Sequence, residues 1–217
     1  TLALNHTFQA SYDKALEYHF LSLIARETDG EIEAVTVSLA NIGLVYFKLR
    51  NYEKALEYYE RTLKMKEEIG DNDNMDVLLL NMGLCYNSLN NYDEAQRLIL
   101  KSYSLCGDNC PSKTKIEGEF GLGNAFLGLN KLAEAERHFT NSLEYSRKAE
   151  DRQYQIENLL FLARIHIEKN SNSSAIEFLQ EAEAIAIKTG YVEALLDIYK
   201  DHSAVLDRMH EFERASR

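Results

Sequence analysis

Tryptophan is absent from this chain of 217 residues, and proline occurs once, at Pro111. So little proline beside abundant Ala, Leu, Glu and Lys points to an almost wholly helical chain, because proline is what helix interiors tolerate least. Cysteine is scarce too. Cys85, Cys106 and Cys110 are too few for a disulfide scaffold and fix no redox compartment. Cations are outnumbered, 24 Lys and Arg against 35 Asp and Glu, for a formal net charge of −11. Phosphate binding needs a basic face, so direct nucleic-acid binding is not expected. No apolar run reaches the ~18 residues of a membrane span, and no signal-peptide pattern opens the sequence, so no membrane contact by this segment is expected. The remaining composition, 45% hydrophobic and 27% charged, is that of an ordinary globular chain.

What is present is a period. Gly43, Gly83 and Gly123 stand 40 residues apart, and the same step reaches Ala163 forwards and Ala3 backwards. Ala15, Ala55, Ala95, Ala135, Ala175 and Ala215 keep one register, with Tyr12, Tyr52, Tyr92, Leu132, Asn172 and Phe212 as a turn column. Such self-similarity identifies an array of repeated units. Within one unit Leu39, Ile42, Gly43 and Tyr46 fall at helical spacing, as do Ala55, Tyr59 and Thr62 after a turn at Arg50-Asn51. Each helix thus carries one apolar stripe. Propensity alone would not place glycine inside a helix, so Gly43 and Ala55 mark a close approach of two antiparallel helices. Gly30, Gly70 and Gly190 are expected to end second helices as left-handed C′ residues.

This pattern closely resembles the tetratricopeptide repeat (TPR), whose signature is a large apolar residue, then L-G-x-x-Y, then A-x-x-x-F. The matches are Leu39, Ile42-Gly43, Tyr46, Ala55 and Tyr59, then Leu79, Met82-Gly83, Tyr86, Ala95 and Ile99. A third set is Leu122-Gly123, Phe126, Ala135 and Phe139, with Glu119 in place of the first apolar residue. The fourth is Leu159, Leu162-Ala163, His166, Ala175 and Leu179. The period of 40 and the lack of a closing proline depart from the family's pattern of about 34 residues. Forty-residue units of this kind look like those of signalling scaffolds and bacterial regulators. The resemblance implies an all-α, right-handed TPR-type helical-hairpin solenoid. A single array over 1–217 is expected, with a partial repeat at 1–30, repeats at 36–70, 76–110, 116–150 and 156–190, and a partial repeat at 196–217. Because the register starts and stops mid-hairpin, without the polar caps that solenoids need, the chain reads as a fragment of a longer protein.

In TPR arrays the first helices line a concave groove, and the resemblance assigns that groove here to particular columns. The candidate groove residues are Asn41, Leu44, Lys48, Asn81, Leu84, Asn87, Phe120, Asn124 and Arg164. Val37, Ala40, Val77, Glu117 and Glu157 are their neighbours on the same faces. Asn41 and Asn81 share one register position, and in peptide-binding relatives such amides grip the backbone of an extended ligand. An amide both donates and accepts, so it pairs with a peptide group of any sequence. The other reading is an amide bond to the neighbouring helix that only sets repeat packing. Arg164 could clamp a ligand carboxylate, or pair internally with the flanking Glu157 and Glu168. The groove is apolar in the earlier units and acidic from Glu117 onward, which suits an amphipathic or partly basic peptide, bound as helix or strand.

Other signals point to structure. Five of the six histidines fall in repeat columns: His6, His19, His138, His166 and His202; His210 lies at a turn, and none pairs at metal-ligand spacing. Cys85 sits in an apolar column as a small buried hydrophobe. Cys106 and Cys110 lie at a helix end, where a local disulfide is possible in an oxidising compartment and free thiols are the favoured reading. The run Gly118, Gly121, Gly123, Gly128 lacks the strand and the Gly-Lys-Ser/Thr ending of a phosphate loop, and is expected to kink or loosen its helix. Sequons at Asn5 and Asn172 are too short to weigh.

The sequence therefore predicts a protein- or peptide-binding scaffold, a regulatory part of a larger protein. It needs no cofactor or metal and holds no convergent acid, base and nucleophile, so this segment is not expected to be an enzyme. The alternative is the sensory arm of a bacterial histidine kinase or transcription regulator, with catalysis or DNA binding elsewhere. Self-association through exposed end hairpins is a further reading. The compartment stays open, with the cytoplasm slightly favoured over an extracytoplasmic sensor domain.

Overall fold

The computed structural model describes residues 2–107 and 110–215, with side chains from residue 11 to 107 and 110 to 209. The described residues form ten α-helices and no strand. In order these are α1 (Leu2–Asp29), α2 (Ile32–Lys48), α3 (Tyr52–Ile69), α4 (Met75–Ser88) and α5 (Tyr92–Cys106). Then come α6 (Ser112–Gly128), α7 (Leu132–Lys148), α8 (Arg152–Glu168), α9 (Asn172–Thr189) and α10 (Val192–Ala215). The chain forms two compact units, residues 1–109 and 110–217. No helix among the described residues is long and apolar enough to cross a membrane.

Each unit is built from helical hairpins. In the first, α2 packs on α3 and α4 on α5, α1 lies on α2, and α3 joins the hairpins by packing on α4. In the second, α6 packs on α7 and α8 on α9, with α7 against α8 and α10 against α9. The first helix of one hairpin also touches the next first helix, α2 with α4 and α8 with α10, as in a stacked solenoid. The tight hairpin turns 49–51, 89–91, 129–131 and 169–171 make the joined helices antiparallel neighbours.

The turns close by side-chain and backbone chemistry together. Asn51, Asn91 and Asp151 accept a hydrogen bond from the backbone N–H three residues on, satisfying a donor that the new helix cannot use. Gly70 and Gly190 follow α3 and α9 with φ of 71° and 74°, as expected of C′ glycines, where a Cβ would be strained.

Core packing explains the helical glycines. A Cβ on Gly43 would lie 2.7 Å from the Tyr59 ring, and one on Gly123 would lie 2.7 Å from the Phe139 ring. α3 and α7 lay these aromatics directly on the backbones of α2 and α6. In the first unit Leu39 and Ile42 centre one cluster, and Tyr59, Leu79, Met82 and Cys85 centre another. The second unit's core runs from Ala135 and Phe139 through Leu159, Leu162 and Ile165 to Leu179, Ile198 and Val205. Burying each Leu or Ile contributes about 1.5–3 kcal/mol.

Two expectations are corrected. α6 runs unbroken through Gly118, Gly121 and Gly123, all buried, and at Gly123 the missing Cβ admits the Phe139 ring instead of loosening the helix. Cys106 and Cys110 are disulfide-bonded, and Cys85 is the free thiol. α5 ends at Cys106, and Gly107 leaves it with φ of 56°. Burial pushes the Cys85 thiol up to about 12. Of the histidines, His138 is buried, while His19, His166 and His202 are half-buried. The side chains of His6, His210 and the Asn5 sequon lie outside the described residues.

Candidate functional site

A cavity of about 190 Å³ lies within the first unit, lined by residues of α2, α3, α4 and the loop before α4. Its rim carries Val37 and Val77, which are 50% and 38% exposed. Asn41 and Asn81, both half-buried, line it from equivalent positions on α2 and α4. Its inner residues are Tyr59, Thr62, Lys66, Thr36 and Leu78, all buried.

Each inner polar group has a traceable state. Thr36 and Thr62 donate their hydroxyl protons to the carbonyls of Glu33 and Tyr58 in their own helices, leaving oxygen lone pairs over. The Lys66 ammonium, on a residue 7% exposed, pairs with Asp71 and donates to the Asp73 carbonyl at 2.9 Å. That pairing, with the Asp73 backbone N–H, holds the Asp71 carboxyl below the usual carboxylate range. Tyr59 is 1% exposed and, among the described residues, its hydroxyl has no hydrogen-bond partner. Burial raises its pKa, so the phenol stays protonated and a donor.

The candidate residues of the first unit divide clearly. Asn41 and Asn81 meet at one cavity and, among the described residues, neither side chain hydrogen-bonds to a neighbouring helix. The amide bond that would have made them packing residues is therefore not formed. Leu44 is 40% exposed, Lys48 is exposed with its Nζ 5.9 Å from the Phe47 ring centroid, and Leu84 and Asn87 are half-buried. The register that carries Asn41 and Asn81 passes to Gly121 and Phe161, so the amide pair ends with the first unit.

In the second unit the candidates are engaged differently. Phe120 meets Phe139, Tyr154 and Phe161 edge-on, with centroids 5.6, 5.3 and 5.4 Å away. Asn124 is half-buried. Arg164 donates from Nε to Asp201 of α10 at 2.8 Å and stacks over Phe161, so neither Glu157 nor Glu168 is its partner. Sequence spacing could not show this, because α10 is brought onto α8 by folding. Glu157 instead accepts from Gln153 at 2.9 Å, and burial raises its carboxyl above the ordinary range.

The sequence reading missed Tyr59 and Lys66 as cavity residues. Tyr59 filled the family's aromatic column, and only its hydroxyl, where Phe139 has none, could have signalled more. No cluster of three or more His, Cys, Asp or Glu side chains suited to a metal occurs among the described residues.

Comparison with known proteins follows the same lines. Residues 33–107 match the tetratricopeptide repeat family. No curated protein matches the chain. Among solved structures, nearly identical TPR-like repeats from Podosopora anserina, described as a kinesin light chain, superpose with a TM-score of 0.64 at 15% identity, covering 88% of this chain and 93% of that one. BtubC (BKLC) from P. vanneervenii gives a TM-score of 0.64 at 16% identity, covering 95% and 90%. The apo form of RapI gives 0.68 at 12% identity, covering 93% and 84%. At such identities the likeness is one of fold. Residues 33–107 thus match the tetratricopeptide repeat family, and the described chain is similar in fold to solved all-α, TPR-type helical-hairpin solenoids.

Proposed function

We propose that this chain is a peptide- or protein-binding scaffold, acting as a regulatory part of a larger protein, and that the face formed by α2 and α4 is where it binds. The observation that carries the reading is the pair Asn41 and Asn81. They are two amides on equivalent turns of neighbouring helices, with no side-chain hydrogen bond among the described residues, lining one cavity beneath exposed Val37 and Val77. Amides so placed can pair with the backbone of a ligand while the valines and Leu44 take apolar side chains. Lys48, Leu84 and Asn87 lie further along the same two helices and would extend the footprint. In the second unit the corresponding proposal is weaker in polar reach, with Phe120 held among aromatics and Arg164 occupied by Asp201, leaving Asn124 as its polar contact. A net charge of −11 favours a partner with basic or neutral character. The role is binding, and no catalytic step is assigned.

The reading is tested by selecting randomised decapeptides on the full chain and mapping the bound peptide by backbone amide exchange. Protection centred on 36–48 and 76–88 is expected; protection elsewhere with none in these segments contradicts it. A second reading, self-association, is favoured by exposed Val192, Leu196 and Leu206 on α10. Light scattering over a concentration series is its check, with a constant monomer mass ruling it out.

A further inference from the structure

The first and last helices each carry one half of the interface that closes the inner hairpins. α10 packs on α9 and touches α8, as α4 packs on α3 and touches α2, so it is a first helix of the repeat. α1 packs on α2 as α3 packs on α4, so from Tyr12 onward it is a second helix. The hairpin face of each is bare. Leu196 and Tyr199 are 61% and 50% exposed, whereas Ile156 and Leu159, at the same register positions of α8, are 2% and 0% exposed. Tyr18 is 70% exposed, whereas Leu98, its equivalent in α5, is 2% exposed. Val192, Leu196, Tyr199 and Leu206 form an exposed seam at the heptad-like spacing through which helices pair. On α1 the apolar face goes further than the repeat requires. Leu21 is 57% exposed in a column that elsewhere holds Arg61, Lys101, Asn141 and Glu181. A contiguous apolar face of this kind marks a contact with another molecule.

The inner hairpins show which columns meet. Tyr46 lies by Tyr58, Phe126 by His138 and His166 by Phe178, with ring centroids 5.5, 5.1 and 5.2 Å apart. In register, that pair is Leu206 and Tyr18. Glu119 accepts from Asn141 at 3.1 Å and pairs with His138 at 2.8 Å, which in register sets Tyr199 against Leu21 and Tyr18. The exposed groups of the two end helices are thus counterparts. Both helices also run straight through 9–11 and 209–211, the register positions at which the inner hairpins turn. Two helices from different chains have no turn to make.

We propose that α10 of one copy pairs with α1 of a second copy as an antiparallel hairpin formed in trans, with Leu206 and Tyr199 on Tyr18 and Leu21. The proposal rests on the self-association reading and gives it a partner face. The contact joins two different surfaces, so it repeats from copy to copy, head to tail, unless a ring closes. Ser203 then meets His19, where the inner hairpins set Gly43 under Tyr59 and Gly123 under Phe139, and hydroxyl and imidazole serve each other as hydrogen-bond partners.

The full chain is followed by sedimentation velocity and light scattering from about 1 µM to about 1 mM. The weight-average mass should climb past that of a dimer. Leu206→Glu and Tyr18→Glu each put a charge into the contact at a side chain exposed in the single chain, with circular dichroism as the check on folding. Each alone should weaken association at least about tenfold. Mixed in equal amounts, the two variants should form a dimer that grows no further, since one keeps its α1 face and the other its α10 face. A constant monomer mass of the unaltered chain overturns the proposal and the self-association reading together. Association lost in Leu206→Glu but intact in Tyr18→Glu makes the contact α10 on α10, which removes the trans hairpin and leaves self-association standing. A mixture that stays monomeric, or grows past a dimer, likewise overturns the head-to-tail pairing.

Discussion

Gly43 and Tyr59 are one device: a missing Cβ on α2 lets a ring from α3 lie against the backbone. Gly43→Ala gains about 1 kcal/mol of helix propensity but drives a methyl to 2.7 Å from a ring that is fully enclosed. Overpacking of this kind costs about 1–3 kcal/mol, because the buried ring must shift to admit the methyl. The net expectation is a loss of about 1 kcal/mol in urea unfolding; a gain would show that the ring moves freely. At the other end of the same ring, the phenol has no partner among the described residues. Tyr59→Phe should therefore raise unfolding stability by about 1 kcal/mol or more in the absence of any ligand, read as a higher Tm. A lower Tm would mean that the hydroxyl has a partner inside the protein.

At the scale of elements the turns matter most. Each of the tight hairpin turns has a residue at positive φ: Arg50 at 58°, Asn90 at 61°, Asn130 at 57° and Asn170 at 58°. Asparagine visits this region cheaply and arginine does not. Glu150, at 55°, holds the position that Gly70 and Gly190 hold after other helices. Arg50→Asn and Glu150→Gly should each stabilise by roughly 0.5–1 kcal/mol, with thermal denaturation as the check. These sites also mark how far the sequence could be read. Helix pairs, apolar stripes and the C′ glycines were legible because small and large residues recur in register. The glycines of α6 misled, because local propensity counts glycine as a breaker while at Gly123 packing against Phe139 makes use of it. Arg164 was matched to Glu157 and Glu168 by nearness in sequence, whereas its partner Asp201 comes from another helix. The Asn41–Asn81 pair was visible as a register coincidence. The cavity beneath it was not, because its inner residues come from three helices and a loop.

For the molecule as a whole, acidity shapes both stability and binding. Burial lifts the Glu157 carboxyl above its ordinary value of about 4.5, with the Gln153 amide pulling the other way and Asp151 adding to the rise. An acid whose folded pKa is raised favours the folded state only while protonated. Its contribution is fully present below the unfolded pKa and is lost as pH rises through the folded one. Glu157→Gln should therefore raise Tm at pH 7 and leave it nearly unchanged at pH 4, by calorimetry; an equal gain at both would assign the effect to something other than ionisation. Binding is the central claim, and it concerns a face rather than a charge. The most direct test is calorimetric titration of a selected decapeptide into the full chain and into the Asn41→Ala, Asn81→Ala double variant. Loss of two backbone-directed amides should weaken affinity about tenfold or more with an unchanged Tm, while equal affinity in both proteins would contradict the account.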